Sequence, residues 1–178
     1  MRTLRLATTA DIPALQLHIA RAARALSVGY YTPRESEAAI THVFGVDSRL
    51  ISDGTYFVVE HELGIIGCGG WSWRRTLYGG DQRPVGTRDV LDPATEAAKI
   101  RAFFVAPEAA RQGIGRQLLE ACTEAARAAG FRQLELMATL PGVPLYEACG
   151  FTETERVTDI VPDGTPIRFV RMHRAIDG

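Results

Sequence analysis

The sequence contains little cysteine and almost no net charge, and both shortages exclude classes of protein. Its three cysteines, Cys68, Cys122 and Cys149, form no CxxC pair and have no histidine at metal-ligand spacing. This argues against a disulfide framework and a zinc site, and we expect no metal. Lysine and arginine total 20 and aspartate and glutamate total 21. A nucleic-acid partner is therefore not expected, since such proteins usually carry a basic surplus.

Long apolar runs are also missing. No window approaches the roughly 20 apolar residues of a membrane span, and the N-terminus has no apolar stretch long enough for a signal peptide. We therefore expect no membrane partner, a cytoplasmic location and reduced thiols. The 178 residues, of which 46% are hydrophobic, predict one domain over 1–178.

Hydrophobic periodicity predicts a mixed α/β domain. Helical patterns cover residues 12–26, 33–44 and 114–129, with a short helix within 140–149. A long loop is expected over 74–95, which is rich in glycine, aspartate, arginine and proline. Strands are predicted at 3–7, 55–61, 65–73, 99–105, 133–138, 152–161 and 167–175. This order favours an α/β (α+β) fold in which helices flank one mixed sheet.

Glycines mark two places where something approaches the backbone closely. Gly67, Gly69 and Gly70 interrupt the strand 65–73. Two more stand in the segment ARQGIGRQLL, residues 110–119, where a strand turns into a helix. Such a turn exposes helix N–H groups that bind anions, so the segment predicts a pyrophosphate on the backbone of 112–116. A tight turn that only packs a strand against a helix remains the alternative.

Two other phosphate-binding motifs are absent. There is no GxxxxGK[ST] segment, which argues against a nucleotide-hydrolysing P-loop. The glycine spacing is not GxGxxG, and no acidic residue follows a neighbouring strand about 20 residues on, which argues against a dinucleotide fold.

The sequence around these two glycines resembles the GNAT superfamily of N-acetyltransferases. The resemblance rests on IRAFFVAPEAARQGIGRQLLEACTEAARAAGF at 100–131 and LYEACGF at 145–151. It covers 100–151 closely, and the element order of the whole chain agrees with it. It implies about seven strands, mostly antiparallel, with two neighbouring parallel strands that splay to admit acetyl-CoA, and no metal.

The resemblance also implies which residues bind the donor. Backbone N–H groups of the loop would hold the CoA pyrophosphate, and the end of the preceding strand would pair with the pantetheine arm. Ala110 departs from the family, which usually has Arg or Gln there. Ile100 and Val105 are family apolar positions whose odd spacing hints at a bulge. The residues carried over are Phe103, Phe104, Val105, Arg111, Gln112, Gly113, Ile114, Gly115 and Arg116.

For catalysis, the resemblance makes Tyr146 the general acid that protonates the leaving thiolate. The backbone N–H of Phe104, or of Val105, would stabilise the oxyanion. No base is constant in the family; Glu60 or Glu135, directly or through water, are the candidates. The segment before Tyr146 lacks an asparagine that the family often has.

Aromatic and basic side chains are the candidates for the acceptor site. The aromatic residues could hold an alkyl ammonium by cation–π contact, although Trp71 and Trp73 fit a plain core equally well. Arg74, with Arg75 and Arg83, would favour a carboxylate on the acceptor. The substrate residues predicted are Tyr30, Tyr31, Trp71, Trp73 and Arg74.

These observations favour transfer of an acetyl group from acetyl-CoA to the primary amine of a small molecule, by direct attack in a ternary complex. A CoA-binding regulatory module of the same fold is one alternative. A protein lysine or N-terminal acetyltransferase is another, and a different nucleotide-binding enzyme is a third. The sequence leaves the oligomeric state open; since the family often dimerises through its terminal strands, 167–175 is the segment through which a homodimer would form.

Overall fold

A computed structural model of the chain describes residues 1–83 and 90–177. Its helices are α1 (Ile12–Ser27), α2 (Pro33–His42), α3 (Ser48–Ser52), α4 (Ile114–Ala128) and α5 (Val143–Ala148). Its strands are β1 (Thr3–Leu6), β2 (Tyr56–His61), β3 (Gly64–Ser72), β4 (Ala98–Val105), β5 (Gln133–Thr139), β6 (Thr152–Ile160) and β7 (Pro166–Ala175).

Within these residues the strands form one seven-stranded sheet in the order β1-β2-β3-β4-β5-β7-β6. Neighbouring strands are antiparallel except for β4 and β5, which are parallel because α4 carries the chain back between them. The predicted mixed, mostly antiparallel sheet is confirmed.

Helices cover both faces of the sheet. On one face, α4 buries Leu119, Cys122 and Ala126 against the central strands, and α5 adds Tyr146 to the same apolar cluster. On the other face, α1 packs Leu15 and Ile19 against β2 and β3, while α2 packs against β7. The centre of the sheet, where β4 and β5 meet, therefore lies between two helical layers.

The glycines of β3 make room for side chains that cross the strand. A Cβ atom at Gly67 would lie 2.5 Å from Ile114 of α4, and one at Gly69 would lie 2.6 Å from the ring of Phe103. The predicted close approach to this strand is therefore confirmed, and the approaching groups are the protein's own side chains.

Two features of the chain between α2 and β4 escape sequence reasoning. The helix α3 is only five residues long, and it begins where the Asp47 carboxylate accepts the N–H of Arg49 at 3.0 Å. The predicted loop 74–95 includes an isolated pairing of Arg74 with Val90. Residues 84–89 of that loop lie outside the described residues.

Candidate active site

The central feature of the sheet is a gap between its two parallel strands. β4 and β5 pair only at their first residues, where Ala98 faces Leu134 and Lys99 faces Glu135. Beyond this point they diverge and leave a cavity of about 550 Å³, which we call the central groove. Its walls come from α1 on one face of the sheet and from α4 and α5 on the other. The predicted splay of parallel strands is present.

A bulge in β4 lies at the edge of the groove. Ala102 has a φ of 54°, and the pairing with β3 shifts register between Cys68 and Gly70. The extra residue brings Ile100 and Val105 to the α4 face despite their odd spacing. The hint of a bulge in the sequence is therefore confirmed.

The pairing after the bulge determines which β4 amides face the groove. The N–H of Ala106 donates to the Ile66 carbonyl of β3 at 2.9 Å. Since successive strand amides alternate in direction, the N–H of Phe104 also faces β3, and that of Val105 faces the groove. The Phe104 carbonyl contacts Nε2 of His18 at 3.0 Å. Of the two amides considered for the oxyanion, this register favours Val105 over Phe104.

The loop before α4 has the backbone shape of an anion site. Arg111 and Gly113 both adopt left-handed conformations, with φ of 63° and 81°. Alternating left-handed residues turn successive N–H groups towards one point, where they attract an anion. A Cβ atom at Gly113 would meet no protein atom within 4 Å, so the space in front of it is open. The arginine side chains of 111 and 116 also line the groove here.

Gly115 has a different role from Gly113. It is buried in the first turn of α4, and a Cβ atom there would lie 2.7 Å from a methyl group of Leu145. Gly115 therefore lets α5 pack against the start of α4, which places Tyr146 beside the groove.

Tyr146 lines the groove. Its ring packs edge-on against Phe103 and Phe151, with centroid distances of 6.2 and 5.7 Å. Burial raises the pKa of the Tyr146 phenol well above its usual value. This raised pKa keeps the phenol protonated at neutral pH, and no described residue forms a hydrogen bond with its hydroxyl.

A smaller cavity of about 60 Å³ continues from the groove, and we call it the acceptor pocket after the acceptor site that the resemblance implies. Its walls are mostly apolar and aromatic, and include Phe44, Tyr78, Met137 and Phe169. Five residues line both cavities and so surround the passage between them: Phe44, Phe103, Phe104, Thr139 and Tyr146. An acceptor in this pocket would reach the groove beside Tyr146.

The arginines around the acceptor pocket are paired with carboxylates. Arg74 makes two hydrogen bonds to Asp53, at 2.7 and 2.8 Å. Arg83 binds Asp159. Arg101, with a side chain only 3% exposed, binds Asp47 at 2.7 Å. These pairs neutralise the charges that would have favoured a carboxylate on the acceptor.

The structure brings few of the predicted acceptor residues to the cavities. Tyr30 lines the central groove. Tyr31 instead uses its hydroxyl to donate to the Arg168 carbonyl at 2.6 Å. Trp71 is buried in the core, where it packs edge-on against Trp73 at 5.6 Å. Arg74 lines only an adjoining polar cavity.

Neither candidate base lies at the cavities. Glu60 binds Arg5 at 2.9 Å, which holds the pKa of its carboxyl below the usual value. Burial acts to raise the pKa of Glu135, but hydrogen bonds from Arg171 and Lys99 lower it overall. Both carboxylates are outside the described linings of the groove and the acceptor pocket.

Some residues that line the central groove belong to no recognisable sequence motif. Ala22, Ala23 and Ser27 come from α1, far from any motif, and Phe44 follows α2. The packing of α1 against the sheet, and the position of the segment after α2, bring these residues to the groove. Among residues 1–83 and 90–177, no three His, Cys, Asp or Glu side chains lie together as metal ligands would. No helix in this part of the chain has the length and apolar character needed to cross a membrane.

Comparison with known families identifies the chain. The profile of the acetyltransferase (GNAT) domain matches residues 52–153, more than half of the sequence. The chain belongs to the GNAT family. It is therefore an acetyl-CoA-dependent N-acetyltransferase, as the resemblance of 100–151 implied. No curated protein sequence matches it significantly.

Solved structures agree on the fold. A GCN5-related N-acetyltransferase from Rhodopseudomonas palustris superposes with a TM-score of 0.70 at 15% identity, covering 98% of this chain and 96% of that one. The putative acetyltransferase yncA from Salmonella typhimurium, solved with acetyl-CoA, has a TM-score of 0.65 at 20% identity, covering 99% and 94%. The PaiA N-acetyltransferase from Thermoplasma acidophilum, solved with coenzyme A, has a TM-score of 0.65 at 12% identity, covering 98% and 99%.

Proposed function

We propose that this GNAT enzyme transfers the acetyl group of acetyl-CoA to the primary amine of a small molecule by direct attack in a ternary complex. The observation that carries the proposal is the passage between the central groove and the acceptor pocket. Tyr146, whose hydroxyl has no hydrogen-bond partner among the described residues, lines both cavities at this passage.

The groove offers binding groups for two parts of acetyl-CoA, the pyrophosphate and the pantetheine arm. The left-handed residues and arginines of the loop 110–116 suit a pyrophosphate. The unpaired edge of β4 offers backbone groups to the two amides of the pantetheine arm, as an added strand would. Ala110 supplies no side-chain donor, and Arg111 provides the nearby positive charge.

The reaction needs a proton donor for the leaving thiolate and a hydrogen-bond donor for the oxyanion. Tyr146 is suited to the first role, because its raised pKa keeps the phenol protonated at neutral pH. An amide of β4 that faces the groove, such as that of Val105, is suited to the second. Both groups are held by packed secondary structure, so little rearrangement is needed when the acetyl group arrives.

The attacking amine must also lose a proton. No Asp, Glu or His side chain is present in the described linings of the groove or the acceptor pocket. We therefore infer that water accepts the proton. A cavity of about 320 Å³ that shares Arg101 and Gly79 with the acceptor pocket provides a polar route, lined by Asp47 and Asp81.

The lining of the acceptor pocket favours an amine on an apolar or aromatic carbon skeleton. Its aromatic residues can pack against such a group, and the three neighbouring arginines are already paired. The second candidate, a protein N-terminus or lysine, is favoured by the open course of the groove along α1 to Tyr30.

Release of the CoA thiol from acetyl-CoA tests the proposal. The enzyme is incubated with small primary amines in one series and with short peptides, having free N-termini or lysines, in another. We expect kcat/KM to be highest for an arylalkyl amine. Faster reaction with a peptide would assign the enzyme to protein acetylation instead. Binding of acetyl-CoA with no turnover in either series would favour the regulatory alternative.

A further inference from the structure

A side chain that does not line the groove forms a hydrogen bond to the bulge of β4. Tyr56 of β2 is fully buried and donates its hydroxyl to the Ala102 carbonyl at 2.8 Å. Ala102 is the left-handed residue of the bulge, a conformation that residues other than glycine keep only when their surroundings hold them.

Gly70 of β3 allows Tyr56 to reach this carbonyl. β3 lies between β2 and β4, so the tyrosine ring must cross it. A Cβ atom at Gly70 would lie 2.6 Å from the ring. A larger residue at Gly70 would clash both with the ring and with the Thr55 carbonyl oxygen, which would lie 2.7 Å away, so the ring occupies its place because residue 70 is glycine.

The hydrogen bond also determines the direction of a neighbouring amide. In a trans peptide the N–H points opposite to the C=O of the same unit, and no described peptide bond is cis. The Ala102 carbonyl points back towards β3 and Tyr56. The N–H of Phe103, which belongs to the same peptide unit, therefore points towards the gap that β5 has left.

We propose that Tyr56 is a positioning residue, which aims the Phe103 amide at the thioester carbonyl of acetyl-CoA by holding the peptide unit of the bulge. This inference rests on the proposed function, because it assumes that acetyl-CoA lies along β4. It adds Phe103 to Val105 as an amide directed into the groove. Burial raises the pKa of Tyr56 well above its usual value, so its hydroxyl remains a donor.

The variant Tyr56→Phe removes the hydroxyl and leaves the ring over Gly70. Thr55→Val is a matched control, since it removes another buried hydroxyl that donates to a backbone carbonyl, that of Leu50 at 3.3 Å. Both variants lose one buried hydrogen bond, and both are expected to fold with a modest fall in melting temperature. Only the first loses a contact to the bulge.

The test is the infrared stretch of acetyl-CoA labelled with ¹³C at the thioester carbonyl, because a hydrogen bond to that carbonyl lowers its frequency. We expect a shift to lower frequency on wild type and on Thr55→Val, and a smaller shift on Tyr56→Phe. The affinity for acetyl-CoA relative to free CoA should fall roughly threefold in Tyr56→Phe alone, since the amide contacts only the acetyl group.

An equal carbonyl shift and an equal affinity ratio in wild type and Tyr56→Phe would overturn the role of Tyr56. The same loss in Thr55→Val as in Tyr56→Phe would also overturn it, since the effect would then be a general loss of stability. Failure of wild-type protein to bind acetyl-CoA would instead overturn the proposed function. None of these readouts requires the acceptor to be known.

Discussion

The substitution Gly113→Ala tests the proposed anion site at the start of α4. The φ of 81° lies in the left-handed region, where a Cβ atom costs roughly 1–2 kcal/mol. No protein atom lies within 4 Å of that Cβ atom, so no steric cost is added. Against a typical stability of about 5–15 kcal/mol, the variant should remain folded.

The effect on binding should be larger than the effect on folding. The new methyl group stands in the open space before the amides of the loop and keeps a phosphate oxygen from reaching them. Losing one hydrogen bond to a charged group costs about 1.5–3 kcal/mol. We therefore expect an affinity for acetyl-CoA roughly 10-fold to 100-fold lower. Gly113→Glu, which adds a negative charge, should bind more weakly still.

Gly164→Ala is the matched control for this prediction. Gly164 lies between β6 and β7 with a φ of 85°, and its Cβ atom would also meet nothing within 4 Å. The two alanine variants should lose similar melting temperature, while calorimetric titration with acetyl-CoA should detect weaker binding in Gly113→Ala alone. Equal affinities in both variants would refute the assignment of the loop as the pyrophosphate site.

Three further predictions concern other parts of the site. Tyr146→Phe should lower kcat at least about 100-fold in the thiol-release assay, with acetyl-CoA affinity unchanged; an unaltered kcat would exclude the acid role. Arg101→Met leaves the Asp47 carboxylate without its buried partner and should therefore lower the free energy of unfolding by about 3–5 kcal/mol. Urea titrations measure this loss, and a value below about 1 kcal/mol would contradict the prediction. Burial lowers the pKa of His18 below its usual value, so the unfolded chain binds more protons and stability should fall as pH drops through the range in which an exposed histidine titrates. Melting curves of His18→Gln should lack that part of the pH dependence, and an identical profile would contradict the assignment.

The sequence predicted the parts of the fold that local patterns encode. The strands and long helices have clear apolar periodicity, and the odd spacing of Ile100 and Val105 indicated the bulge. The glycines of the loop 110–116 predicted an anion site, and the left-handed φ values there support that prediction, but the sequence could not separate the roles of the two glycines. Only the packing of Leu145 shows that Gly115 serves α5, while Gly113 faces open space.

The residues around the acceptor pocket could not be predicted from the sequence, because their positions depend on which residues meet across the sheet. Trp71 stands in a strand that is buried on both faces, so the sequence left a core position and a place in the acceptor site equally open, and only the structure assigns Trp71 to the core. Arg74 could be recognised as basic, but its pairing with Asp53 joins residues 21 positions apart. The sequence gave no indication of a role for Tyr56, because its hydrogen bond to Ala102 depends on the absence of a side chain at Gly70.

A crystal structure of the enzyme with acetyl-CoA would test the central claim most directly. The account predicts the pyrophosphate on the amides of 112–116, the pantetheine arm along the unpaired edge of β4, and the sulfur beside the Tyr146 hydroxyl. The acetyl group would then face the acceptor pocket. An acetyl group bound away from Tyr146, or a pyrophosphate bound elsewhere than on this loop, would contradict the account.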